Sequence, residues 1–270
     1  MGWLVLVLLA FGSGYGVWTY QASINNCTDC PEMVEVPGGS FQMGSNDSDA
    51  YNNEKPVHSV NVKSFSIGKY EVTQGQWRAV MGSNPSHFAN CGDNCPVENV
   101  SWNDIQSHIQ KLNKKTGQRF RLPSEAEWEY ACLGGQQPIY CGSNDVGSVA
   151  WYRDNSAGTT HPVGQKAPNG FGLYDMSGNV WEWVEDDYED GYLGAPTDGA
   201  ARKTGVETRV LRGGSWNSFA GSARSAIRYG YSPDFRSYFI GFRLASTPLN
   251  ARTASTTVPA GVQQGVHGPS

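Results

Sequence analysis

The stretch RVLRGGSWNSFAGSARSAIRYGYSPDFRSYFIGFRLA, residues 209–245, decides how the rest of the chain is read. It opens on a short apolar run, Val210-Leu211, and a Gly213-Gly214 turn. It closes on a second apolar run around Phe239, Ile240, Phe242 and Leu244. Between them lie Trp216, Phe219, Tyr229, Tyr231, Phe235 and Tyr238, set among Ser, Gly, Ala and Arg. Short β-like runs divided by glycine turns describe a loop-rich fold. Aromatics mixed with Ser, Gly and Arg suit a contact surface better than a core strand. The stretch holds no Cys, His or Glu, and Asp234 is its only carboxylate, which limits the chemistry it can perform.

The whole chain has the same character. Its 270 residues fit one large domain or two small ones. With 33 Gly, 14 Pro and 9 Trp but only 17% charged residues, it reads as an irregular fold around a compact core. A net charge of −5 argues against a nucleic-acid-binding surface. The histidines show no metal-ligand spacing such as H-E-x-x-H; His58 and His161 read as structural hydrogen-bonders, His87 and His108 as exposed.

Six cysteines fall into three close pairs: Cys27 and Cys30, Cys91 and Cys95, Cys132 and Cys141. Zinc would use Cys27-x-x-Cys30 as half a site, but the other pairs have the wrong spacing to complete it. Local disulfides, Cys91–Cys95 and Cys132–Cys141, are inferred from closeness in sequence and require an oxidising compartment. The N-terminus agrees with export to the periplasm or the extracellular space. Residues 3–11 form an unbroken apolar run that weakly polar residues extend to Trp18. This is the pattern of a membrane anchor over residues 3–18 or of a signal-peptide core. With no Lys or Arg before it and no A-x-A site after it, the uncleaved anchor is preferred.

The expected organisation is a leader or anchor (1–22), a stalk (23–32), one globular domain (33–245) and a disordered tail (246–270) without large aromatics or periodicity. MVEVPGGSFQMGS alternates around Pro37-Gly38-Gly39 and reads as a β-hairpin; residues 57–70 alternate again and read as strand. About three helices are expected. Thr73 caps one that ends at Met81. Ser101 and Asp104 box a second, with Trp102, Ile105, Ile109 and Leu112 as its apolar stripe and Gly117 as its stop. Ser124 and Glu127 box a third that stops at Gly134. The carboxylates Glu125, Glu127 and Glu129 suit its first turns by the helix dipole and need no acid–base role.

Seven motifs occur in order: PGGSFQMGS, EKPVHSVNVKSFSIGKYEVTQGQW, CPVENVSW, RLPSEAEWEYA, NGFGLYDMSGNVWEWV, RVLRGGSW and GFRLA. This series resembles the formylglycine-generating enzyme (sulfatase-modifying factor) family over residues 33–245. The resemblance implies a single α+β domain with a C-type-lectin-like fold, little regular secondary structure, small mixed or antiparallel sheets and few helices. It also implies structural calcium at DMSGNVWEWV, held by Asp175, by Gly178 or Val180 through their carbonyls, and by Glu182. Carboxylates and carbonyls are the ligands calcium takes; the alternative is a hydrogen-bonded turn without an ion. The acidic run Glu185, Asp186, Asp187, Glu189 and Asp190 reads as a solvated loop.

Enzymes of that family oxidise a sulfatase cysteine to formylglycine with oxygen and copper(I). The copper sits on two thiolates between RGGS and the final GFR. In this chain the positions near that pair are Ser218, Phe219, Ala220 and Ala223, and no cysteine follows Cys141. Hydroxyl and methyl groups do not replace soft thiolates on copper(I). No copper is expected, and the chain reads as a non-catalytic module. Its ligand face would comprise Trp216, Phe219, Tyr229, Tyr231, Phe235 and Tyr238, with Arg224, Arg228 and Arg236 supplying charge, for a glycan, peptide or protein. Two alternatives stand beside it. One is an active oxidase, of the formylglycine-generating or a tailoring type, acting on an exported substrate. The other is a retroelement-diversified display protein, because Tyr229, Tyr231, Phe235, Tyr238, Phe239 and Ile240 are residues that mutated asparagine codons yield.

Overall fold

A computed structural model describes residues 30–247. The expected leader or anchor, most of the stalk and the tail beyond 247 lie outside the described residues. Among the described residues no helix is long and apolar enough to cross a membrane.

The three boxed helices form as their caps predict. In α1 (Gln74–Met81), Thr73 Oγ1 accepts from Gln76 N while Gln76 Oε1 accepts from Thr73 N. Ser101 and Asp104 repeat the exchange at α2 (Trp102–Thr116), and Ser124 and Glu127 at α3 (Glu125–Leu133). Each satisfies backbone donors that a helix start leaves orphaned. All three end on a glycine in the left-handed region, at Gly82, Gly117 and Gly134. A single further turn, α4 (Val146–Val149), has no periodicity to reveal it.

The described residues form twelve short strands, in chain order β1 (Met33–Val36), β2 (Gly39–Met43), β3 (His58–Val62), β4 (Phe65–Gly68), β5 (Phe120–Arg121), β6 (Ala150–Trp151), β7 (Ser177–Gly178), β8 (Trp181–Asp187), β9 (Arg209–Arg212), β10 (Arg228–Tyr231), β11 (Ile240–Gly241) and β12 (Ala245–Ser246). One four-stranded sheet runs β1-β4-β12-β5 and a second β10-β9-β8-β11; β2-β3 and β6-β7 pair separately.

The expected hairpin around Pro37-Gly38-Gly39 does not form. Residues 33–43 pair instead with residues 58–68 in one antiparallel register, Met33↔Gly68 to Val36↔Phe65 and then Gly39↔Val62 to Met43↔His58. Pro37 and Gly38 are a bend in this ribbon, not its turn. There the two chains touch: a Cβ on Gly38 would meet Ser64 N at 2.9 Å, and Gly38 N donates to Ser64 Oγ. The apolar alternation was legible, but a partner twenty-odd residues away is not encoded in local spacing.

Two apolar cores result. One gathers Val36, Phe65, Ile67, Trp128, Leu173 and Val184; the other gathers Trp77, Ile105, Leu112, Trp183, Leu211 and Phe242. The disulfides Cys91–Cys95 and Cys132–Cys141 are present, with Cα separations of 5.9 and 4.7 Å, inside the range that bond tolerates. Cys30 is disulfide-bonded too.

His108, expected to be exposed, is buried in the second core. Its ring stacks on Trp77 at 4.9 Å and meets the edge of Phe242 at 5.6 Å, and neither ring nitrogen has a hydrogen-bond partner among the described residues. Burial, helped by nearby Lys111, lowers its pKa from 6.5 to about 4. Between those values the unfolded chain binds a proton that the folded chain refuses, so stability falls as pH drops through the window. This residue should make the domain about 2 kcal/mol less stable at pH 5 than at pH 7. Urea unfolding of His108→Phe and wild type at both pH values checks it: the stability difference between them should grow in the variant's favour at pH 5, and an unchanged difference would refute the assignment.

Candidate functional site: an aromatic face on an arginine frame

Every arginine of residues 209–245 is ion-paired. Arg209 pairs with Asp187, Arg212 with Glu129, Arg224 with Glu54, Arg228 with Glu125, Arg236 with Asp104 and Arg243 with Glu182. The Arg212, Arg224, Arg228 and Arg243 side chains are buried. Four of the six are forked, as planar guanidinium and carboxylate favour, Arg243 among them through Nε and Nη2 to Glu182. Arg224 reaches Glu54 at 2.8 and 3.0 Å, Arg228 reaches Glu125 at 2.7 Å twice, and Arg236 reaches Asp104 at 2.7 and 2.8 Å.

The pairs follow from strand geometry. Glu182 on β8, Arg212 on β9 and Arg228 on β10 lie in one cross-strand row. Their side chains share a face of the sheet. Arg212 and Arg228 meet Glu129 and Glu125 of α3. The next row, Trp183, Leu211 and Tyr229, points the other way. Trp183 and Leu211 sit in the second core, while Tyr229, on the edge strand, is 52% exposed.

Arg224 and Arg228, expected to offer charge to a ligand, are therefore structural. Of the three arginines expected there, Arg236 alone is exposed, and Asp104 holds it. Glu125 and Glu129, read as dipole-favoured acids, are buried partners of these arginines; Glu127 pairs with Arg121. Asp186 and Asp187 are likewise not part of a solvated loop. Asp186 accepts from Glu125 N and Arg202 N, and Asp187 from Thr204 N and Gly205 N, so they anchor the chain around residues 202–205. Burial, with Glu125 nearby, pushes Asp186 up to about 7.

DMSGNVWEWV does not present its carboxylates as an oxygen cage. Glu182 accepts from Arg243 at 2.7 Å and from Trp128 Nε1 at 2.7 Å. Asp175 Oδ2 accepts from Gly164 N, leaving Oδ1 buried and unpartnered. Val180 N donates to Glu71 and Gly178 N to Gly213 O. No group of three or more His, Cys, Asp or Glu among the described residues is arranged to hold a metal. With Glu182 committed to Arg243, this arrangement does not fit calcium on that carboxylate. Glu71 and Asp175 are buried in the same neighbourhood, where Glu71 accepts from Asn179 Nδ2 and Val180 N. Burial, with neighbouring carboxylates, pushes Glu71 well above the usual range and Asp175 up to about 6.

Where the resemblance would put thiolates, Ser218 Oγ accepts from Ser215 N at 2.9 Å and lies 3.1 Å from Ser215 Oγ, and Ala223 is wholly buried. Around them the expected aromatics form two ridges. In one, Phe235 stacks on Tyr231 at 4.1 Å, Tyr231 meets Tyr229 at 5.4 Å and Tyr229 meets Trp181 at 6.2 Å. In the other, Tyr238 meets Trp216 at 5.8 Å, and Phe88 packs edge-on to both. His87 adds to Tyr238 at 5.3 Å. The ridges approach each other where Trp181 N donates to Phe239 O. Phe219 stands apart under Arg153, 64% exposed.

His87, Phe88 and Trp181 were not identified from sequence as parts of the face. They come from elsewhere in the chain, and their spacing carries no sign of it. The Cys91–Cys95 disulfide lies three residues beyond Phe88, and Glu98 accepts from Phe88 N at 2.8 Å.

A family model described as a sulfatase-modifying factor enzyme 1-like domain matches residues 20–248. The chain is 34% identical over 234 residues to "Chaperone protein LppX" of Paenibacillus barcinonensis, covering 67% of this chain and 79% of that protein. It is 30% identical over 285 residues to "Inactive C-alpha-formylglycine-generating enzyme 2" of Bos taurus, covering 79% and 87%. Among solved structures, "Treponema denticola variable protein 1" superposes with a TM-score of 0.75 at 33% identity, covering 80% of this chain and 95% of that one.

Removing one partner of a buried pair strands the other's charge. Arg243→Met should cost about 3–5 kcal/mol at pH 7 by urea unfolding, because it leaves Glu182 buried without its cation. The loss should shrink towards pH 5 as the neighbouring Glu71 and Asp175, both raised by burial, take up protons. A cost below about 1 kcal/mol would mean that the pair holds nothing together.

Proposed function

The chain belongs to the sulfatase-modifying factor enzyme 1-like family, and we propose that it uses the fold to bind a ligand or partner rather than to oxidise one. The observation that carries this reading is the chain of ring contacts from Phe235 to Trp181 and from Phe239 to His87, with Tyr229 52% and Tyr238 44% exposed. Exposed tyrosines beside a tryptophan give large, rigid contact area at small entropic cost. The paired arginines beneath support it, since a face held at several buried points loses little freedom on binding. Ser218 and Ala223 support the non-catalytic half of the proposal: neither is a thiolate. Relatives named as a chaperone and as an inactive enzyme fit it as well.

The name of the Treponema denticola variable protein favours a second reading, in which the same face varies among copies of a display protein. Tyr229, Tyr231, Phe235, Tyr238, Phe239 and Ile240 would then be the diversified positions. A near-identical DNA repeat beside a reverse-transcriptase gene would support this reading, and its absence would end it.

We also place the domain outside the cytoplasm, tethered by residues 3–18. The disulfides are consistent with export. Alkaline carbonate should leave the protein in the membrane pellet; release into the supernatant would instead indicate a cleaved leader.

The binding proposal is tested by screening the full chain against glycans, peptides and proteins beside Trp216→Ala and Tyr231→Ala. Binding should fall about tenfold or more in at least one variant. Binding untouched by both would move the site off this face. In parallel, copper(I), oxygen and a sulfatase cysteine peptide should yield no aldehyde; measurable aldehyde would overturn the non-catalytic reading.

A further inference from the structure

Beside Tyr229 the face opens into a pocket of about 370 Å³, small-molecule size at the lower end. Tyr51, 61% exposed, and Tyr229 form outer walls, and the largely buried Trp181 lies further in. Asn53, Asp190 and Arg228 also line it. Tyr51 precedes a short helical turn some 130 residues before Trp181, so nothing in the sequence joins the three rings.

We propose that this pocket binds one neutral sugar ring, a pyranoside, as the recognition unit of a glycan; the proposal rests on the binding reading above and narrows it to a ligand class. The three rings offer apolar faces, against which the C–H face of a pyranose packs by dispersion and loses water-exposed apolar surface. The polar groups decide what else the guest must carry. Asn53 Oδ1 is buried without a partner, while its Nδ2 donates to Tyr188 Oη at 2.9 Å. An acceptor left in that state costs free energy until a donor reaches it. A sugar hydroxyl is such a donor; a purely aliphatic guest is not.

Charge excludes the other classes. Arg228 has four of its five N–H donors committed, and its charge is already met by Glu125. Its Nε and Nη2 bind Glu125, and its Nη1 donates to the carbonyls of Asn53 and Glu189. Asp190 at the rim repels an anion further. A cation would meet Asp190 but also lie against the Arg228 guanidinium in the same wall. A neutral guest with hydroxyls on its edges and hydrocarbon on its faces satisfies both the rings and the amide.

Ligand-observed NMR and calorimetry on the full chain test this with methyl glycosides of glucose, galactose, mannose and N-acetylglucosamine. Choline and N-acetylneuraminic acid serve as cationic and anionic arms. At least one neutral glycoside should bind with a Kd of about 1 mM or tighter. Tyr51→Ala and Tyr229→Ala, both at exposed rings and so compatible with folding, should each weaken it about tenfold or more. Ile139→Ala, which lines a separate cavity, should not. Circular dichroism confirms that each variant is folded. Preferential binding of choline or of the sialic acid overturns the proposal, as does glycoside binding that survives both tyrosine changes. If no glycoside binds while a peptide or protein does so through Trp216 or Tyr231, the sugar assignment fails and the binding reading stands. If the glycoside and partner screens are both silent, both fail.

Discussion

Charge neutralisation inside the fold is the constraint on which the rest depends. Four guanidiniums from one 37-residue stretch are buried, and each must meet a carboxylate or destabilise the structure by several kcal/mol. Glu54, Glu125, Glu129 and Glu182 supply those carboxylates from an early loop, from α3 and from β8. The stretch is therefore fixed at four interior points. Ion pairs of this kind add little net stability compared with packed apolar groups, but they tolerate few alternative arrangements. With so little regular secondary structure, the domain relies on that specificity to hold its loops in one place.

Between the fixed points the chain is more exposed. Residues 216–222 run from one paired arginine towards the next with turns and exposed side chains, and residues 229–238 do the same on the edge strand and beyond. The scaffold is thus divided into buried charged anchors and more exposed aromatic spans.

Much of this was legible in the sequence, though unevenly. The capping residues Thr73, Ser101 and Ser124 gave three helices to within a residue, because a cap is a contact across three positions. The local disulfides were legible for the same reason. What spacing could not give was any partner far along the chain. Arg212 and Glu129 lie 83 positions apart, Arg228 and Glu125 lie 103, and Arg224 and Glu54 lie 170. Arginine among serines and tyrosines looks the same whether it will face solvent or a buried glutamate. His108 misled for a related reason: its polarity suggested the surface, whereas its ring shape placed it between Trp77 and Phe242.

The first sheet has a mechanical consequence. β1 and β12 flank β4 on opposite sides and run in the same direction, with Val34 and Ala245 both opposite Ile67. The described chain enters β1 beside Gly68 and leaves β12 beside Ser66. Tension between the two ends is thus borne as shear along β4, with its rungs loaded together rather than peeled one by one. The second sheet, with β10 and its tyrosines, lies outside that load path. A domain pulled from its ends would keep its aromatic face in shape until the first sheet yields.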